Sequence, residues 1–143
     1  MHAKIENIIL GVTDVDRAKE FYADRLGFHL DVDHQPNDQF RVVQLTPVGS
    51  ACSITFGIGL VGTEPGATTG VYLVVDDIEV AHADLEANGV TNTGIQHFAE
   101  GGLVPGVDPE RRDFMSYVYF DDPDGNSWVV QEAHHRPSTA PDA

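Results

Sequence analysis

Four side chains in the second half of the chain are of types that acid–base chemistry uses. His97 and Glu100 lie three positions apart in the segment IQHFAEG, so one ligand or one proton could meet both. Tyr117 and Tyr119 alternate with their neighbours in FMSYVYF, which places both rings on one face of a strand. We identify His97, Glu100 and Tyr117 as the candidate catalytic residues. An exposed histidine, a solvated carboxylate and core tyrosines are the structural alternatives.

Two adjacent arginines, Arg111 and Arg112, stand out because the whole chain contains only 8 lysines and arginines. Arg111 is a candidate to pair with a carboxylate of a ligand. A local salt bridge to Asp108, Glu110 or Asp113 is the structural alternative. Five other histidines are interpreted as structural or solvent-exposed: His29, His34, His82, His134 and His135.

Composition narrows the class of protein. The length of 143 residues suits one globular domain, and the net charge of -15 would repel phosphate backbones and anionic lipids. We therefore expect neither nucleic acid nor a membrane as a partner. The N-terminus lacks the pattern of a secretion signal, and lone Cys52 cannot form an internal disulfide, so we expect a cytoplasmic protein.

An internal repeat organises the chain. IILGVTDVDRAKEFYADRLGF (8–28) and VYLVVDDIEVAHADLEANGV (71–90) share an alternating apolar strand, an acidic helix start, a helix and a closing glycine. The spacing predicts helix caps at Asp14 or Thr13 in the first copy and at Asp76 or Asp77 in the second. Three strand-like runs follow each helix. Each half is thus predicted as strand, helix and three strands.

Turn residues set the boundaries of these elements. PVGS (47–50) and DDPDGN (121–126) are predicted as tight turns before the last strand of each half. The segment 99–113 has no periodicity and is predicted as a loop. Residues 1–134 form the predicted domain. Its first module spans about 5–61, its linker 62–69 and its second module about 70–133. Residues 135–143 are predicted to be a disordered tail.

Three segments in order carry a family resemblance: TDVDRAKEFYADRLGF (13–28), VVDDIEVAHADLEANGV (74–90) and FDDPDGNSW (120–128). Together they resemble the vicinal oxygen chelate superfamily of glyoxalases, bleomycin resistance proteins and dioxygenases, and PGVDPERRDF (105–114) is similar to one bacterial branch of it. The resemblance implies an α+β fold of two tandem βαβββ modules, which form a curved, cup-like mixed sheet with helices on the outer face. It also implies a homodimer.

Metal-dependent members of this superfamily place a His and a Glu from each module in the cup. The positions that match them here are Asn7, Gly70, Thr55 and Val129, and none of these is a His, Asp or Glu. We therefore predict no metal cofactor, and a divalent ion would require displaced ligands.

Strand alternation around these matched positions predicts which residues line the cup. With Arg111, the ligand-binding candidates are Asn7, Ile9, Thr55, Tyr72, Val74, Val129 and Gln131. Such a neutral, partly apolar lining suits a small organic molecule. The leading hypothesis is a bleomycin-resistance-like protein that sequesters its ligand. A metal-independent isomerase, lyase or cyclase using His97 or a tyrosine, and a glyoxalase-like metalloenzyme with displaced ligands, remain open.

Overall fold

The computed structural model describes residues 1–62 and 64–134, so the predicted tail at 135–143 lies outside the described residues. The chain divides into two compact units. Unit 1 comprises residues 3–69 together with Asp122–Asn126. Unit 2 comprises Gly70–Asp121 and continues from Ser127. Each unit has its own mixed sheet, and the fold is α+β.

Unit 1 contains four strands and one helix. They are β1 (Asn7–Ile9), α1 (Val15–Glu20), β2 (His29–Asn37), β3 (Phe40–Thr46) and β4 (Ser53–Ile58). The helix continues as a π-helical turn at Phe21–Arg25. The strand order is β1-β4-β3-β2, with β1 parallel to β4 and the other neighbours antiparallel.

Unit 2 contains five strands and one helix. They are β5 (Val71–Val75), α2 (Ile78–Ala87), β6 (Gln96–Ala99), β7 (Gly102–Pro105), β8 (Ser116–Asp121) and β9 (Ser127–Glu132). The strand order is β5-β9-β8-β6-β7, and β5 is parallel to β9. Within the described ranges, no helix is both long and apolar enough to cross a bilayer.

The helix starts confirm the repeat. Asp14 accepts a hydrogen bond from the backbone N–H of Arg17, and Asp77 accepts bonds from the N–H groups of Glu79 and Val80. The two caps are 77 − 14 = 63 residues apart. An aspartate is favoured at this position because it satisfies N–H groups that have no partner within the helix.

One buried aromatic cluster holds the helix of unit 1 against its sheet. Tyr22 is fully buried, and its ring lies 5.7 Å from that of Phe28 and 5.8 Å from that of Phe56. Phe56 is on β4, so this cluster marks the helix-covered face of the sheet. Burial of such rings is the main stabilising term in a small core.

The sheet of unit 2 packs against α2 in the same way. Trp128 is 1% exposed and stacks on Phe120 with ring centroids 6.1 Å apart. Ile78 and Leu85 of α2 are also buried. The prediction that Trp128 faces the second helix is consistent with this packing, since β8 and β9 both contact α2.

The prediction of a loop across 99–113 was wrong at Gly102–Pro105. These residues form β7, which pairs with β6 as a hairpin. The turn between them uses Gly101 at φ 95° and Gly102 at φ 124°, which favour glycine. Leu103 and Val104 stand between glycines and a proline, so the sequence showed no alternation from which a strand could be inferred.

Residues 122–126 of the DDPDGN turn make their contacts within unit 1, to which they belong. Asp122 is 5% exposed and accepts a 2.7 Å hydrogen bond from the Tyr22 hydroxyl. Asn126 is fully buried, and its amide donates to the Gly11 carbonyl at 2.9 Å. Asp124 accepts bonds from the backbone N–H and the hydroxyl of Thr13. The turn is therefore a structural clasp through Asp122, Asn126 and Oδ1 of Asp124, whereas Oδ2 of Asp124 is buried without a hydrogen-bond partner.

Candidate functional site

Each sheet has one face that its own helix covers, and the other is here called its open face. The strand registers place one set of side chains on the open face of unit 2. They are Tyr72, Val74, Gln96, Phe98, Leu103, Tyr117, Tyr119, Val129 and Gln131. These nine residues carry no charge at neutral pH. Asp121 and Ser127, paired at the ends of β8 and β9, share the same face.

Aromatic rings form the centre of this open face. Tyr117 and Tyr119 stack with ring centroids 6.2 Å apart and an interplanar angle of 27°. Phe98 meets Tyr117 edge to face at 5.4 Å. Phe98 is 43% exposed and Tyr72 is 55% exposed. Exposed aromatic side chains grouped on one surface are typical of a binding site rather than of a solvated sheet face.

The surroundings of the two stacked tyrosines determine the hydrogen bonding and the protonation of their hydroxyl groups. The Tyr117 hydroxyl donates to the backbone carbonyl of Phe114. Burial raises the pKa of the Tyr119 hydroxyl above its usual value, and the neighbouring Tyr72 and Tyr117 raise it further. Tyr119 therefore stays protonated and uncharged at neutral pH, as a donor or acceptor for a neutral ligand.

The three candidate catalytic residues are not brought together. His97 is paired with Ser116 whereas Gln96 is paired with Tyr117, so the side chains of His97 and Tyr117 point to opposite faces of the sheet. The Nδ1 atom of His97 lies 2.7 Å from the Gly106 carbonyl oxygen. Glu100 is exposed in the β6–β7 turn. Of the three, only Tyr117 belongs to the open face.

Arg111 lies among carboxylates at the start of α2. Its Nε atom donates to Oε2 of the fully buried Glu132 at 3.0 Å, and its Nη1 atom donates to Glu79 at 2.7 Å. Its Nη2 atom also lies 3.2 Å from Asp77. Glu132 also accepts the Ile78 backbone N–H at 2.9 Å. The guanidinium is thus engaged with protein carboxylates.

The expected local salt bridge is made by the neighbouring arginine. Arg112 pairs with the buried Asp108 at 2.9 Å and with Glu110 at 3.5 Å. The partner of Arg111 that the sequence did not indicate is Glu132, which is on the same strand as the expected ligand residue Val129. Hydrogen bonding to Arg111, partly opposed by burial, holds the pKa of Glu132 below its usual value.

The open face of unit 1 is more polar. The register β1–β4 pairs Asn7 with Ser53 and Ile9 with Thr55, and all four residues lie on this face. Ser53 is 6% exposed and Thr55 is 7% exposed. The Oγ1 atom of Thr55 is buried and has no hydrogen-bond partner, although buried hydroxyls are normally paired. Gln44 of β3 lies opposite Thr55.

A chain of hydrogen bonds also ends on this face. The Nδ1 atom of His29 lies 2.9 Å from Oδ1 of Asp31. Oδ2 of Asp31 accepts a hydrogen bond from the Thr46 hydroxyl, and the Thr46 and Ser53 hydroxyl oxygens are 2.6 Å apart. Hydrogen bonds from Thr46 and then from His29 hold the pKa of Asp31 below its usual value. The sequence indicated no role for these β2 residues.

The four positions that match the superfamily's metal ligands supply a poor donor set. Asn7 and Thr55 offer neutral oxygen atoms, Val129 offers none, and Gly70 has no side chain. Divalent transition ions prefer imidazole, thiolate and carboxylate ligands, so these residues do not fit such an ion. Across residues 1–62 and 64–134, no three His, Cys, Asp or Glu side chains are grouped so that they could hold a metal ion.

Comparison with known proteins places this geometry in context. A family model described as the Glyoxalase/Bleomycin resistance protein/Dioxygenase superfamily matches residues 4–130. TnmS3, an antibiotic binding protein from Streptomyces sp. CB03234, is 27% identical, with a TM-score of 0.71 over 92% of this chain and 96% of that one.

Two further solved structures have similar identity. A glyoxalase/bleomycin resistance protein from the same Streptomyces strain is 28% identical, with a TM-score of 0.67 over 90% of this chain and 99% of its own. A superfamily member from Sphaerobacter thermophilus DSM 20745 is 29% identical, with a TM-score of 0.69 over 92% of this chain and 98% of its own.

Proposed function

The chain belongs to the glyoxalase/bleomycin resistance protein/dioxygenase superfamily, and from this premise we propose that it binds and sequesters a planar aromatic organic molecule. The observation that carries the proposal is the aromatic cluster of Phe98, Tyr117 and Tyr119 on the open face of unit 2. Its rings would contact the flat face of the ligand, and no metal-dependent step is part of the proposal.

The shape and chemistry of this face favour a flat ligand. Tyr117 and Tyr119 are nearly parallel, and Tyr72 and Phe98 extend the aromatic surface on either side of them. Stacking on aromatic rings contributes about 0.5–1.5 kcal/mol per pair beyond the burial of area. A molecule that covers several rings would gain this energy more than once, without desolvating a charge.

The likeness to TnmS3 supports a binding role. That protein binds an antibiotic, and its identity of 27% extends over nearly the full length of both chains. We infer the same class of ligand here, a small organic compound that the protein holds without changing it.

Metal-independent catalysis is the second candidate, and Tyr119 is the residue that favours it. Its raised pKa keeps the hydroxyl protonated, which is the state required of a general acid. His97 is turned to the other face and the Tyr117 hydroxyl is already bonded, so neither is as well placed. Recovery of the bound molecule separates the two candidates: sequestration returns it unchanged, and an isomerase, lyase or cyclase returns a product.

Titration calorimetry with 1-methoxypyrene and 1-hydroxypyrene tests the proposal. Both molecules are expected to bind the wild-type protein. Tyr119→Ala should weaken the binding of both by about 10- to 100-fold, because it removes a ring from the centre of the face.

Phe40→Ala is the matched control. Phe40 is an aromatic residue of unit 1 that is 36% exposed, and it lies at the β2–β3 hairpin. Its removal should leave both affinities unchanged. The proposal fails if neither pyrene binds, or if Phe40→Ala weakens binding as much as Tyr119→Ala does.

A further inference from the structure

The segment PGVDPERRDF (105–114) contains two strained backbone positions. Across residues 1–62 and 64–134, the non-glycine residues with a positive φ are Arg111, at 50°, and Phe114, at 66°. In this left-handed region a side chain crowds the backbone, so bulky residues are rarely found there. Such strain persists only where the surrounding contacts fix the backbone, and it is common at ligand-binding positions.

Buried polar groups fix this segment on unit 2. The fully buried Asp108 carboxylate accepts a hydrogen bond from the backbone N–H of Arg112 and another from its Nε atom, both at 2.9 Å. The backbone N–H of Asp108 donates to the Ser116 hydroxyl at 3.0 Å. Arg111 adds its bond to the buried Glu132. Because these contacts order the segment before any ligand arrives, binding to it would cost little conformational entropy.

The backbone of Phe114 lies beside the open face of unit 2. Its N–H donates to the Glu132 carbonyl of β9 at 2.9 Å. Its carbonyl oxygen accepts the Tyr117 hydroxyl and lies 3.5 Å from Nε2 of Gln131. Tyr117 and Gln131 are paired across β8 and β9 and both belong to the open face. Bond lengths place a Cβ atom roughly 3 Å from the carbonyl oxygen of its own residue, so the Phe114 side chain begins near the Tyr117 hydroxyl.

Phenylalanine is poorly suited to the backbone at position 114. Asparagine and glycine adopt a positive φ far more readily. The ring also contributes little to the core, because Phe114 is 48% exposed. A half-exposed ring on a strained backbone breaks local rules in the way that functional positions do. The residue type is therefore explained better by a contact with a ligand than by folding.

We propose that the Phe114 ring is a further ligand contact, which packs against a planar molecule bound on the open face of unit 2. This inference rests on the proposed function and deepens it, because it extends the site from the sheet to the segment before β8. It also specifies the ligand class. Tyr117 and Tyr119 have ring centroids 6.2 Å apart, so a molecule that covers both and reaches Phe114 must contain several fused rings.

Phe114→Asn tests the inference, because asparagine tolerates the left-handed backbone and keeps the carbonyl group that accepts the Tyr117 hydroxyl. The Kd for 1-methoxypyrene, measured by titration calorimetry, should rise by about 3- to 10-fold, the effect of losing one aromatic contact. Phe114→Tyr keeps the ring and should bind about as tightly as the wild type.

Val80→Ala is the matched control. Val80 is an apolar residue of α2 in the same unit and is 58% exposed. Its truncation should leave the Kd unchanged. Stopped-flow fluorescence of the pyrene then separates the rate constants. Phe114→Asn should raise the dissociation rate and leave the association rate nearly unchanged, because the segment is in place before the ligand binds.

The outcomes separate this inference from the function on which it rests. An unchanged Kd in Phe114→Asn would overturn it, as would equal losses in Phe114→Asn and Phe114→Tyr, or in Phe114→Asn and Val80→Ala. If, in any of these cases, Tyr119→Ala still weakens the binding of 1-methoxypyrene, the proposed binding function stands. Absence of binding to the wild-type protein would overturn the two proposals together.

Discussion

Replacing Asp122 by alanine should destabilise the protein strongly. Oδ2 of Asp122 accepts bonds from the Tyr22 hydroxyl at 2.7 Å and from the Asn126 amide at 2.8 Å. Oδ1 accepts the backbone N–H groups of Asp124 and Asn126, both at 2.9 Å. Alanine would leave these donors without their acceptor in a site that is 5% exposed.

The magnitude follows from the two most buried donors. Tyr22 and Asn126 are both fully buried, and an unsatisfied buried donor costs about 1–3 kcal/mol. We therefore expect Asp122→Ala to lower the free energy of unfolding by about 2–6 kcal/mol. With a urea dependence near 2 kcal/mol per molar, the midpoint should fall by about 1–3 M.

Urea unfolding followed by circular dichroism and by Trp128 fluorescence measures the change. Asp121→Ala is the matched control, since Asp121 is the adjacent aspartate, is exposed and accepts one side-chain bond, from Ser127. It should cost less than about 0.5 kcal/mol. A loss below about 1 kcal/mol for Asp122→Ala, or equal losses for both variants, would refute the interpretation of the turn as a clasp.

Three other predictions concern stability. Arg111→Ala should lower the midpoint of urea unfolding clearly more than Arg25→Ala does, because it removes the arginine partner of the buried Glu132 and leaves only the Ile78 N–H and His134 beside it. Arg25→Ala breaks an exposed 4.0 Å pair with Glu20 and should cost less than about 1 kcal/mol, so similar losses for the two variants would contradict the assignment. The pKa of Glu132 is lower in the folded protein, so its stabilising effect is present above the usual glutamate range and is lost as the pH falls. Between pH 7 and pH 3, the free energy of unfolding should therefore decline less steeply in Glu132→Gln than in the wild type. An unchanged slope would count against this role of Glu132. Gly57→Ala should destabilise by at least about 1–3 kcal/mol, because the added Cβ would lie 1.8 Å from the Arg41 carbonyl oxygen, and a variant as stable as the wild type in thermal unfolding would disprove this.

Local rules predicted much of the fold. Asp14 and Asp77 are at the helix starts because an aspartate before an apolar period is a strong capping signal. Tyr117 and Tyr119 share a face because side chains alternate along a strand. These features depend only on residues near one another in the sequence.

Features that depend on distant residues were not predictable in the same way. Glu132 follows Arg111 by 21 residues, and only the packed sheet brings it to the start of α2. The hydrogen-bonded chain from His29 to Ser53 joins residues of three strands, so it was missed. His97 looked suited to catalysis by type and spacing, but the pairing of β6 with β8 turns it away from Tyr117.

Mapping of ligand contacts by NMR tests the central claim most directly. Titration of the isotope-labelled protein with 1-methoxypyrene should shift the backbone amide signals of Tyr72, Tyr119 and Val129, which lie on neighbouring strands of the open face of unit 2. The indole N–H of Trp128 is on the helix-covered face and should move little. Shifts centred on Trp128 and α2, or no shifts on the open face at saturating probe, would contradict the account.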